Sequence, residues 1–84
     1  MITIKLTDKR LEVRGHAGYS EPGKDIVCAA VSILIYTFVE LNQAVVLTDV
    51  PDSMIVDTSN ADTKFISKGF ELLQEQYPDN VKLI

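Results

Sequence analysis

Two side chains in this sequence can serve as a nucleophile and its proton carrier, and each occurs once: His16 and Cys28, within RGHAGYSEPGKDIVCAAVS. A thiolate beside an imidazole can attack a carbonyl carbon, and the resulting imidazolium can protonate the departing amine. That chemistry needs a stabilised thiolate. Asp25 stands directly ahead of a long apolar run and is a good helix N-cap, which places Cys28 at the third helical position. There the positive end of the helix dipole favours a thiolate, and first-turn amides could form an oxyanion hole. The negative charge of Asp25 opposes this, so strong activation calls for a second cation, and protonated His16 is the candidate.

Residue type alone leaves other readings open. Free cysteine is among the most buried residues, and Val31, Ile35 and Val39 share its helical face, so Cys28 also reads as inert packing. His16 also reads as a surface or hydrogen-bonded residue, Asp25 as a structural cap, and Ser32 as a helix residue bonded back to the backbone. One cysteine and one histidine exclude an intramolecular disulfide and the Cys/His zinc sets, so neither metal nor cofactor is expected. A thiol redox protein would need the Cys28 of a second copy to resolve a sulfenic acid. The lone thiol points to a reducing cytoplasm.

The elements that must position these residues follow from periodicity. Ile2, Ile4 and Leu6 alternate with polar residues, as do Leu11 and Val13 after a turn at Asp8 and Lys9, which predicts a hairpin. Gly15 falls on the apolar side of its second strand and His16 on the other, at the strand end. GYSEPGK reads as a surface loop. A helix follows Asp25 and ends near Asn42 or Gln43. It is apolar almost all round, with Ala30, Ile33, Leu34, Thr37 and Leu41 opposite the Cys28 face, and is expected to lie between two layers. AVVLTDV and SMIVDT flank the turn pair Pro51 and Asp52 and predict a second hairpin. Ser59 and Asp62 resemble a weak capping box before an amphipathic helix through Phe65, Ile66, Gly69, Leu72 and Leu73. The helix stops before YPDN, and VKLI closes the chain as a short strand. The predicted order is ββαββαβ: one α/β domain over residues 1–84, a small sandwich with helices packed between or against mostly antiparallel sheets.

Composition narrows the partners. The chain has 84 residues, 46% of them hydrophobic, and a formal net charge of −4. Its lysines and arginines are scattered, which argues against a direct nucleic-acid partner. An acidic surface suits a basic protein better, and a non-catalytic module that binds an extended basic peptide at a sheet edge is the competing function. The longest weakly polar run, IVCAAVSILIYTFV, has fourteen residues, short of the ~18 that span a bilayer. No membrane partner is expected. MITIKLTDK lacks the features of a secretory signal and is taken as mature sequence.

The combination GHAGY, a glycine-containing loop and GKDIVCAAVS resembles the ribosomal-processing cysteine protease family known as Prp. Gly15, His16, Ala17, Gly18, Gly23, Asp25, Cys28, Ala29, Ala30 and Ser32 fit at family-like spacing, and QYPDNVKL resembles the family's Tyr-Pro turn into a last strand. The resemblance implies a homodimeric Cys/His endopeptidase. Its substrate would be a large-subunit ribosomal protein, the twenty-seventh of that series, from which a short N-terminal extension ending in aromatic residues is removed during ribosome assembly. A prophage-encoded relative acting on a phage protein is the variant. In this sequence Cys28 would be the nucleophile and His16 the general base and acid. Gly15, Asp25 and Ser32 would support or line the pocket, and the loop carrying Gly18 and Gly23 would close over the peptide.

Overall fold

The computed structural model describes residues 1–16, 18 and 25–84. The alternation of the first fourteen residues is realised as strands β1 (Ile2–Leu6) and β2 (Arg10–Gly15), paired antiparallel with Ile4 opposite Val13. Because successive side chains point to opposite faces, Ile2, Ile4, Leu11 and Val13 are all buried on one side. Thr3, Lys5, Glu12 and Arg14 fall on the other.

Helix α1 (Ile26–Asn42) follows, then strands β3 (Val45–Val50) and β4 (Ser53–Asp57), helix α2 (Lys64–Gln76) and strand β5 (Val81–Leu83). The five strands form one sheet in the order β3-β4-β2-β1-β5, antiparallel except for the parallel β1–β5 pair. The order ββαββαβ and the α/β class are as predicted.

Both helices cover the same sheet face. Val27, Val31, Ile35 and Phe38 of α1 and Ile66 and Phe70 of α2 join Ile2, Ile4, Leu11, Val13, Val56 and Val81 in one core. The expectation that α1 lies between two layers is therefore corrected. Among the described residues it is covered on one side only, and Ile33 and Leu41 on its outer side are 62% and 72% exposed. Apolarity all round a helix shows that two faces can be covered, not that one chain supplies both covers.

Two local features differ from or sharpen the sequence reading. Ser59 does not cap α2: its amide and hydroxyl both donate to Asp57 Oδ1, at 2.9 and 2.7 Å. The helix starts later, with Thr63 at the cap position making no side-chain bond, while the Lys64 amide donates to Asp62 Oδ1. The Ser/Asp spacing is satisfied as a turn, because short polar side chains bond nearby amides in turns as readily as at helix starts. Gly69 packs against α1, since a Cβ there would lie 2.9 Å from Leu34 Cδ2.

Candidate active site

Cys28 is positioned by the start of α1. Asp25 has extended backbone angles, φ −81° and ψ 102°, and its Oδ1 accepts the amides of Val27 and Cys28, each at 3.0 Å. This is N-cap geometry, satisfying amides that have no partner within the helix. The Ala29 amide donates to the Asp25 carbonyl at 3.1 Å. The first-turn amides of Val27, Cys28 and Ala29 are thus already engaged. The sequence-based expectation that first-turn amides could form an oxyanion hole is narrowed: the carboxylate that starts the helix already accepts two of them.

His16 is positioned by the end of β2. Gly15 has φ +92°, and a Cβ on it would lie 2.5 Å from the Met1 carbonyl oxygen, so only glycine lets the strand turn here. The Gly15 amide donates to the Asp52 carbonyl at 3.0 Å. The Asp52 side chain then pairs with the histidine itself, through Oδ1 and His16 Nε2. Both side chains are more than two-thirds exposed.

These groups meet in a cavity of about 440 Å³. Ile2, Val13, Val31 and Ile35 give it an apolar floor, and Tyr36, Val50, Pro51 and Met54 contribute further apolar surface. His16 lines it from β2, Cys28 and Ser32 from α1, and Asp49 and Asp52 from β3 and the β3–β4 turn. The bulge in β3 between Val46 and Thr48 precedes Asp49 and Val50, and such irregularities re-aim the residues that follow. A thiol, an imidazole and a hydroxyl beside an apolar hollow form a set able to hold a peptide side chain while acting on its carbonyl.

The structure therefore brings together Gly15, His16, Cys28 and Ser32 around one cavity. Asp25 does not line it and reaches the site through the backbone at Cys28. Gly18 is exposed with φ +67° and is not part of the lining. Gly23, with the rest of the expected closing loop, lies outside the described residues. Sequence reasoning missed Asp49, Asp52, Tyr36 and Met54. The signal for Asp52 was its place in a turn pair, but only the pairing of β4 with β2 puts that turn beside His16. Among the described residues, no group of three or more His, Cys, Asp or Glu is arranged to hold a metal, and no helix is long and apolar enough to cross a membrane.

Comparison with known proteins places the chain in a family. Residues 1–82 match the protein family described as Cysteine protease Prp. The chain is 30% identical to the ribosomal processing cysteine protease Prp of Mycoplasma genitalium, over 96% of its own length and 92% of the relative's. The crystal structure of the essential ribosomal processing protease Prp from S. aureus, in complex with a covalently linked product peptide, superposes with a TM-score of 0.77 at 23% identity. That match covers 99% of this chain and 97% of the other. The crystal structure of a Streptococcus mutans protein superposes with a TM-score of 0.65 at 28% identity, covering 99% and 91%.

Proposed function

The chain belongs to the cysteine protease Prp family, and on that premise we propose that it is an endopeptidase acting through Cys28 and His16. The observation that carries this reading is their convergence on one cavity with an apolar floor. His16 takes the Cys28 proton as the sulfur attacks the scissile carbonyl carbon, forming the S–C bond. The C–N bond then breaks, the imidazolium gives its proton to the departing amine, and a thioester remains. Water, deprotonated by His16, attacks that thioester; the S–C bond breaks, the peptide leaves as a carboxylic acid and the thiol regains its proton. Ser32, one helical turn after Cys28, lines the same cavity and contributes a hydroxyl to peptide binding.

The substrate is the N-terminal extension of a large-subunit ribosomal protein, the twenty-seventh of its series, cut after aromatic residues. The apolar surfaces of Val31, Ile35, Tyr36 and Met54 suit a flat apolar side chain, and the acidic balance of the chain suits a basic protein. The compartment is the reducing cytoplasm, in keeping with a Cys28 that is in no disulfide. The functional unit is a homodimer, in which a second copy covers the exposed outer side of α1 around Ile33 and Leu41.

A synthetic peptide carrying such an aromatic-ended extension tests the reading. One cut is expected, with a thioester to Cys28 trapped by acid quenching and seen by mass spectrometry. Cys28→Ala should abolish cutting and His16→Ala should lower it at least a hundredfold, since general acid–base groups contribute ~10² to 10⁴ in rate. Cutting that survives Cys28→Ala removes the thiol from the mechanism.

A further inference from the structure

We propose that Asp52 is a positioning residue for His16, orienting the imidazole so that Nδ1 is the nitrogen presented to the Cys28 thiol. The inference rests on the Cys28/His16 reading above and adds the group that holds the histidine. Its basis is the pairing of His16 Nε2 with Asp52 Oδ1. A carboxylate on one ring nitrogen fixes both the ring orientation and the tautomer, leaving the other nitrogen to accept a proton. It also stabilises the imidazolium that forms when the thiol is deprotonated.

The fold fixes Asp52 independently of its side chain. Register pairs Arg14 with Ser53 and Val50 with Ser53, so the Pro51–Asp52 turn closes the β3–β4 hairpin beside the last residue of β2. The Gly15 amide, bonded to the Asp52 carbonyl at 3.0 Å, extends the ladder by one step. Backbone thus carries the turn to the histidine, and the carboxylate only has to cover the last distance. Among the described residues, the Arg14 guanidinium beside this turn is engaged elsewhere, with Nη2 on Glu12 Oε1 at 3.0 Å and Nη1 on Ser53 Oγ at 3.3 Å. Among the described residues Asp49 is the other carboxylate lining the cavity, but the ion pair is made by Asp52. Since any residue except an altered backbone keeps the position-52 carbonyl, the side chain can be removed while the Gly15 bond stays.

The test compares wild type with Asp52→Ala, Asp52→Glu, His16→Ala and Asp8→Asn, the last removing one exposed acidic charge in the β1–β2 turn. Two readouts are taken: steady-state cleavage of the aromatic-ended peptide, and the rate of Cys28 alkylation by iodoacetamide at fixed pH. Thermal melts check that each variant is folded. Asp52→Ala should lower kcat by roughly 10- to 100-fold, the scale of one charge-assisted hydrogen bond, with KM within about twofold of wild type. Alkylation should slow in Asp52→Ala as in His16→Ala, Asp52→Glu should recover part of both losses, and Asp8→Asn should match wild type. A folded Asp52→Ala within twofold of wild type in both readouts, while His16→Ala is impaired, overturns the proposal. Unimpaired alkylation in His16→Ala overturns it together with the mechanism beneath it. If wild type fails to cut the peptide yet both variants slow alkylation, the proposed substrate falls and the positioning role stands.

Discussion

A side chain at position 15 would begin 2.5 Å from the carbonyl oxygen of Met1. That neighbour is backbone just ahead of β1, and the Ile2 amide of the same peptide unit is bonded to the Asn80 carbonyl at 2.8 Å, which restrains it. Gly15→Ala should therefore lower stability by about 1–3 kcal/mol, the range for a residue forced into a sparsely populated backbone region. It should lower cleavage further, because His16 is the next residue. Urea denaturation and peptide cleavage measured on the same preparation check both; an unchanged midpoint would show that β1 moves aside.

Asp25 links helix formation to the nucleophile. Asp25→Ala should cost about 0.5–2 kcal/mol as a lost N-cap. Asp25→Ser or Asp25→Asn should recover most of that loss, since both still offer an oxygen to the amides of Val27 and Cys28. If cleavage follows stability across the three variants, the residue acts as a cap. A folded Asp25→Asn that cuts far more slowly would instead assign a role to its charge.

The contact between Gly69 and Leu34 has a graded prediction. For Gly69→Ala, the strain falls on Leu34 methyl groups that can rotate, and helix propensity favours alanine by roughly 1 kcal/mol; the net change should be small. Gly69→Val has no such room and should cost about 1–3 kcal/mol. Leu34→Ala should reduce that penalty, and a double-mutant cycle by thermal or chemical denaturation measures the coupling.

Acid sensitivity has one identifiable contributor away from the site. The Ser59 hydroxyl, followed by the Ser59 amide, holds Asp57 below its ordinary value of 3.8, with Arg10 adding a smaller attraction. A folded-state value below the unfolded one means that the folded state binds the proton less readily. This stabilisation is fully present above the ordinary value and is lost as pH falls through it and then through the folded value. Ser59→Ala should move Asp57 back toward 3.8 in an NMR titration and narrow the difference in urea midpoint between pH 7 and pH 3. No change in the Asp57 titration would contradict the assigned cause.

The sequence by itself determined the elements and their order, because each rests on short-range physics. Alternation at Ile2, Ile4, Leu11 and Val13 names the buried side of a hairpin, and Asp25 before an apolar run names a helix start. Cys28 at the third helical position follows from that cap alone. The motif from Gly15 to Ser32 likewise pointed to His16 and Cys28 because their types and spacing are local properties.

Only the tertiary structure decided what surrounds them. Strand order joins β4 to β2, and this long-range pairing brings Asp52 to His16 across a stretch of chain whose periodicity gives no sign of it. Packing decided that α1 is covered on one side, that Gly69 meets Leu34, and that Asp49, Tyr36 and Met54 line the cavity. It also showed which amides the Asp25 cap takes, those of Val27 and Cys28, two donors that an oxyanion hole at this helix start would draw on. Hydrophobic pattern states which side chain faces inward, but not which strand becomes its neighbour, because that choice depends on contacts between residues far apart in the chain.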